Sequence, residues 1–176
     1  MEKSVNIQSL SLFNVKSYLF AAIFVAGNLF LPFVLHYLPP LYAGAPSNGL
    51  MWLPIYFFTL IAAYKYGFQV GLLTAVLSPV LNNLLFGMPM TAMLPAILVK
   101  SVLLAGAAAF FAHKAGKVSF LAILAAILTY QIIGTGIELF MHNFNIQAAL
   151  VDFRFGIPGM LLQLFGGYLV LKLLRS

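Results

Sequence analysis

The chain contains no cysteine, and only three of its 176 residues are acidic: Glu2, Glu138 and Asp152. Without cysteine there is no disulfide framework, no thiol nucleophile and no thiolate metal site. Three scattered acids are too few for a carboxylate-held metal, so neither a metal nor a resident cofactor is expected. Catalytic signatures are also missing: the sequence has no H-E-x-x-H, no G-x-S-x-G and no Walker motif, and no enzymatic activity is expected. If the chain moves a solute uphill, another protein must supply the energy. Charge is the scarcest property, at 7% of residues against roughly a quarter in soluble domains. With 63% hydrophobic residues and a mean hydropathy of +1.05, the composition is that of an integral membrane protein.

Six apolar segments follow one another: about Ser17 to Leu38, Leu50 to Tyr66, Phe68 to Phe86, Thr91 to His113, Val118 to Met141 and Ala148 to Leu173. The breaks between them are turn-rich: Pro39-Pro40 with "YAGAPSNG", a Phe-Gly-Met-Pro turn, "AHKAGK" and "HNFNIQ". A bilayer core takes about 20 apolar residues as helix, so the chain has room for six spans and little else. The expected fold is an all-α integral membrane domain, a compact bundle of six transmembrane helices over residues 1–176 with a short cytoplasmic segment, 1–16. The basic residues stand singly rather than in a block, which points to topology and not to nucleic acid. With the N-terminus inside, Lys3, Lys16, Lys65, Lys114, Lys117, Lys172 and Arg175 all fall inside and only Arg154 outside, so both termini are expected to be cytoplasmic. "AGA" at Ala43 to Ala45 resembles a signal-cleavage site. The first apolar run is too long for a signal, and cleavage would leave Lys65 outside.

Ionisable and amide groups inside spans carry the functional signal, because a charge at mid-membrane costs about 2.5–3.5 kcal/mol on insertion scales. Lys100 lies roughly 13 Å below the outer end of the fourth segment at 1.5 Å per residue. Gln131, Thr135, Glu138 and His142 are spaced four, three and four apart, one polar stripe on the fifth segment. Asn82 and Asn83 sit near the outer end of the third, Asp152 and Arg154 near the outer start of the sixth, and Asn48 and Trp52 at the outer start of the second. Concentration in one leaflet suits a ligand pocket open to the outside. The alternatives are an ion pair between Lys100 and Glu138 that only joins two helices, interfacial roles for His142, Trp52, Asp152 and Arg154, and a helix-bridging role for Asn82. In "AAIFVAG", Ala22 and Ala26 form a small-xxx-small face that admits close approach by another helix, inside this bundle or from a partner.

The stretch "SPVLNNLLFGMPMTAMLPAILVKSVLLA", the Ala22/Ala26 pair and six short helices with both ends inside resemble the S components of energy-coupling factor (ECF) transporters. The likeness covers Ser17 to Arg175. It implies a small membrane subunit that binds a water-soluble vitamin or related micronutrient near the outer face of a prokaryotic cell membrane. The first loop, Pro39 to Gly49, would cap the pocket. It implies as partners a transmembrane coupling subunit, docked on Ala22 and Ala26, and two ATPases. The family's ligand contacts vary with the ligand, so Asn48, Trp52, Asn82, Asn83, Lys100, Gln131, Thr135, Glu138 and His142 are binding candidates on depth, face and polarity alone. Two other classes stay open: a scaffold of similar topology of the cell-wall morphogenesis type, with the polar cluster structural, and a membrane-embedded enzyme using Glu138 and His142 as acid and base.

Overall fold

A computed structural model describes residues 7–39, 45–141 and 143–174, and all the regular structure in them is helical. Helix α1 is Val15–His36, and the Asn14 side chain caps it by accepting from the Lys16 N–H at 3.0 Å. Next come a short α2, Asn48–Trp52, a 3₁₀ turn at Pro54–Tyr56, and α3, Phe57–Tyr66. Gly67 alone, at φ 93°, joins α3 to α4, Phe68–Phe86. This reversal needs a left-handed residue, which glycine adopts without steric cost. A 3₁₀ turn at Thr91–Met93 leads into α5, Leu94–Ala115, which connects through Gly116 to α6, Phe120–Met141. Two further short helices, α7 (Ile146–Ala149) and α8 (Val151–Phe155), precede α9, Ile157–Leu161. A π turn at Leu162–Gly166 then carries the helix on into α10, Gly167–Leu173.

Among the described residues four helices are long and apolar enough to cross a membrane: Val15–His36, Phe68–Phe86, Thr91–Ala115 and Phe120–Met141. The third, fourth and fifth apolar segments of the sequence thus appear close to their expected limits. The second and sixth are built differently. Leu53 takes a left-handed conformation (φ 44°) ahead of Pro54, which has no N–H to donate, and so the second segment is cut into α2 and α3. At 1.5 Å per residue α3 reaches about 15 Å, half of a bilayer core. The sixth segment breaks at Gly156, just ahead of Pro158 in the first turn of α9, and only Ile157–Leu173 is continuous.

The two interrupted segments meet. A Cβ on Gly159 would stand 2.4 Å from the Trp52 carbonyl carbon, and one on Gly156 would stand 2.7 Å from Leu53 Cδ1. Backbone therefore lies directly on backbone and side chain at the two breaks.

The exterior is apolar, and the largely apolar core holds a set of polar side chains. Phe30, Leu84, Phe110, Leu121, Ile132, Phe140 and Leu169 are exposed, whereas Ser17, Asn28, Thr59, Ser78, Asn82, Lys100, Gln131 and Gln163 are buried. In water such a surface would aggregate; in lipid it is the favourable solvent-facing side. At one end the segment before α1 lies across the end of α3: the Gln8 N–H donates to the Lys65 carbonyl at 2.9 Å and the Leu10 N–H to that of Tyr66 at 3.1 Å. At the same end Tyr64 Oη donates to the Lys117 carbonyl at 2.9 Å and accepts from the Ser119 N–H at 3.0 Å. Lys65, Lys114 and Lys117 are thereby gathered at this end, opposite the start of α5 and the end of α6.

Candidate functional site

Lys100 is fully buried on α5, two turns from its start. Its stem lies over Gly134 of α6, where a Cβ would come within 2.6 Å of Lys100 Cγ. Any larger residue would push the lysine away, so Gly134 is the groove that lets the side chain cross to the next helix. Its ammonium meets Glu138 Oε2 at 2.6 Å and Asp152 Oδ2 at 2.5 Å. Glu138 is one turn beyond Gly134 on α6, and Asp152 comes from α8. Three elements therefore converge on one nitrogen, and the two carboxylates retain side-chain exposures of 12% and 16%. Short charge-assisted bonds of this kind are strong, and they compensate for taking an ammonium out of water.

A polar column continues from this cluster along α6. Gln131 is fully buried, and its Nε2 points at Met160 Sδ, 3.4 Å away, a weak acceptor. Gln131 Oε1 and Thr135 Oγ1 are buried without a hydrogen-bond partner. Beside Gln131, Tyr130 Oη donates to Gln163 Oε1 at 3.1 Å, while Gln163 Nε2 is left unpartnered. The Tyr130 ring packs against Tyr56 with centroids 5.3 Å apart. Tyr56, itself buried, lies within electrostatic reach of both Asp152 and Glu138.

The other candidates are placed elsewhere. Asn82 belongs to a second buried network, centred on Asn28. Asn28 Nδ2 donates to Thr59 Oγ1 at 3.0 Å and to Ser78 Oγ at 3.1 Å, and its Oδ1 accepts from the Phe58 N–H at 3.1 Å. Asn82 Nδ2 donates to the carbonyls of Asn28 and Ser78, at 2.9 and 3.0 Å. Asn83 ties down the loop after α4, donating to the Pro89 carbonyl at 2.7 Å. Asn48 holds the start of α2 to the end of α1 through the carbonyls of Leu35 and Leu38, at 3.0 and 2.7 Å. Trp52 lies at the Gly159 contact and is half-buried. His142 is outside the described residues, as are residues 40–44 of the expected cap loop. Ala22 and Ala26 are both exposed, on the face of α1 turned away from buried Ala21, Val25 and Asn28.

Sequence reasoning did not assign Asp152, Asn28, Tyr56, Tyr130 or Gln163 to these networks. For Asp152 the usable signal was arithmetic: in a chain with three acids, each one inside the apolar region needs a cation. For Asn28 it was a lone amide in the middle of an apolar helix.

Two apolar grooves lie on the outside of the bundle. One, of about 490 Å³, runs between Phe68, Gly106, Phe110 and Thr129; the other, of about 370 Å³, is lined by Val76, Leu98, Val99 and Leu103. Neither includes a charged residue, and both face the surroundings that suit lipid chains. Among the described residues no group of three His, Cys, Asp or Glu is arranged to hold a metal ion. No protein-family model, curated protein or solved structure matches the chain.

Proposed function

We propose that the chain is the substrate-binding S component of an ECF-type importer in a prokaryotic cell membrane. It captures a water-soluble vitamin or related micronutrient from the outside and relies on a coupling subunit and two ATPases for energy. The observation that carries this reading is the buried Lys100–Glu138–Asp152 cluster in the half of the bundle opposite the lysine-rich end. The positive-inside rule turns that lysine-rich end to the cytoplasm and the cluster to the outside. On this reading α2–α3 and α9–α10 complete the crossings begun by the four long helices, giving six spans with both termini inside. The breaks at Leu53 and Gly156 then sit over the cluster, where irregular backbone is tolerated only beside protein or a cavity. The exposed Ala22 and Ala26 supply a surface on which a coupling helix fits closely.

A scaffold role has one observation in its favour: Lys100 already has two partners within the chain. One experiment separates the two readings. The purified full chain is denatured, and the released small molecules are identified by mass spectrometry and counted against protein. A water-soluble micronutrient at near one per chain is expected; a chain that releases none and binds none supports the scaffold. Replacing Ala22 and Ala26 together by leucine is expected to abolish uptake in cells while binding by the isolated chain persists. Loss of both would show that the substitutions disturb the chain itself and would overturn the docking assignment.

A further inference from the structure

The two outer grooves join. Both are lined by Val102 and Leu103, so together they form one trough along α5. It follows Val99, Leu103, Gly106 and Phe110, spaced four, three and four apart, which is one face of the helix. From Leu98 to Phe111 the trough runs for about 20 Å at 1.5 Å per residue, a little more than one leaflet, which is about half of a bilayer core. Its floor is open at Gly106, where an added Cβ would meet nothing closer than Phe68 Cε2 at 3.8 Å. The Thr129 hydroxyl on the α6 wall turns back to its own helix and donates to the Ala125 carbonyl at 2.7 Å, so that wall stays apolar.

A second, independent observation lies at one end of the trough. The row that lines it continues one turn beyond Phe110 to Lys114, which is exposed in the last turn of α5, and exposed Lys117 follows in the next turn of chain. On the α4 wall, Phe68 is the first residue of its helix, so the positive end of the α4 dipole lies at the same mouth. No carboxylate of the described residues balances this charge. Glu138 and Asp152 are on Lys100 in the opposite half of the bundle, and Glu2 is outside the described residues. The trough therefore has apolar walls and a cationic mouth, and the positive-inside rule turns that mouth to the cytoplasm.

We propose that the trough binds one acyl chain of an anionic phospholipid of the inner leaflet, with the lipid's head group held at Lys114. Apolar walls alone would not choose among lipids, because lipid tails are as apolar as the side chains they touch. Selection comes from the mouth, where a basic residue beside the membrane surface attracts negative head groups. The lipid site is independent of what the chain binds at its other end and of any coupling subunit.

The test offers the full chain in detergent an equimolar mixture of phosphatidylglycerol and phosphatidylcholine with identical acyl chains, and counts the lipids retained by native mass spectrometry. Phosphatidylglycerol is expected to be favoured by at least about fivefold, the scale of one basic residue at an anionic surface. Lys114→Gln is expected to remove the preference, whereas Lys16→Gln, which deletes an exposed lysine at the start of α1, should leave it. Gly106→Leu fills the trough and is expected to displace the lipid. Leucine favours helix over glycine and the added Cβ meets no close neighbour, so this variant should unfold no earlier than the parent. The comparison of the two lipids on the unaltered chain decides the matter even if a variant does not fold. Equal retention of the two lipids overturns the proposal, as does a preference that survives Lys114→Gln or falls equally with Lys16→Gln. A folded Gly106→Leu chain that still holds the lipid also overturns it. A second copy of the chain held in place of lipid, and released by Gly106→Leu, overturns the lipid assignment and makes the trough an interface between copies.

Discussion

Replacing Lys100 by methionine keeps most of the stem over Gly134 and removes only the ammonium. Two carboxylates are then left facing each other without their shared cation. Breaking a buried ion pair by deleting one partner destabilises by about 3–5 kcal/mol, mostly through the charge left behind. Glu138 and Asp152 keep 12% and 16% of their side-chain surface exposed, so water or a proton offsets part of this, and the lower end applies. A loss of about 3 kcal/mol corresponds to a fall of roughly 6–12 °C in unfolding temperature for a chain of this size. Because Lys100 has two partners, adding Glu138→Gln to Lys100→Met is not enough to relieve the site: Asp152 remains alone. Only the triple change, with Asp152→Asn added, removes all three charges, and it is expected to recover most of the lost stability. Unfolding would be followed in nanodiscs by intrinsic fluorescence across the series. A single mutant that loses less than about 1 kcal/mol, or a triple mutant no more stable than the single, would refute the argument that the cluster is a mutually compensating buried charge set.

Three other outcomes follow from the packing. Asn28→Leu removes a donor and an acceptor that serve Thr59, Ser78 and the Phe58 N–H, and should lower stability by about 3 kcal/mol in the same assay, at 1–3 kcal/mol per stranded buried group; a neutral result would mean that these groups find other partners. Gly71→Val should destabilise by about 1–3 kcal/mol, because a Cβ there would stand 2.4 Å from Ala63 Cβ and 2.8 Å from its Cα, forcing α3 and α4 apart. Single cysteines at the exposed positions Ser47 and Lys117 should differ in intact cells, only the first reacting with an impermeant thiol reagent; equal labelling would contradict the inside-terminus topology.

Sequence and structure agree best where one strong physical term dominates. A lysine in an apolar run must find an anion, and with three acids in the chain the choice of partners was narrow, so the Lys100–Glu138 contact was within reach of pattern reading. The stripe of Gln131, Thr135 and Glu138 follows from helical period alone. Asp152 was harder, because its placement depends on how a run of short helices folds back, and spacing has no purchase on irregular backbone. Asn82 looked like part of the same pocket because depth along a helix is legible and facing is not: two asparagines at similar depth, Asn82 and Asn83, turn to different neighbours. The breaks in the second and sixth segments were written in Pro54, Gly156 and Pro158, yet hydropathy averages over such residues and sees only a continuous apolar run.

The contact between those two breaks has a mechanical consequence. Where Trp52 and Leu53 rest on Gly156 and Gly159 the backbones approach with only the Leu53 side chain packed between them, so little displacement can be absorbed locally. The segments before α3 and before α10 are in effect geared together. A push on Asp152 from the Lys100 side is passed through α8 to Trp52 and, by way of Asn48, to the last turn of α1. The end of the bundle above the cluster therefore yields as one piece, and a bulky residue at Gly159 would jam it without touching a single charged group.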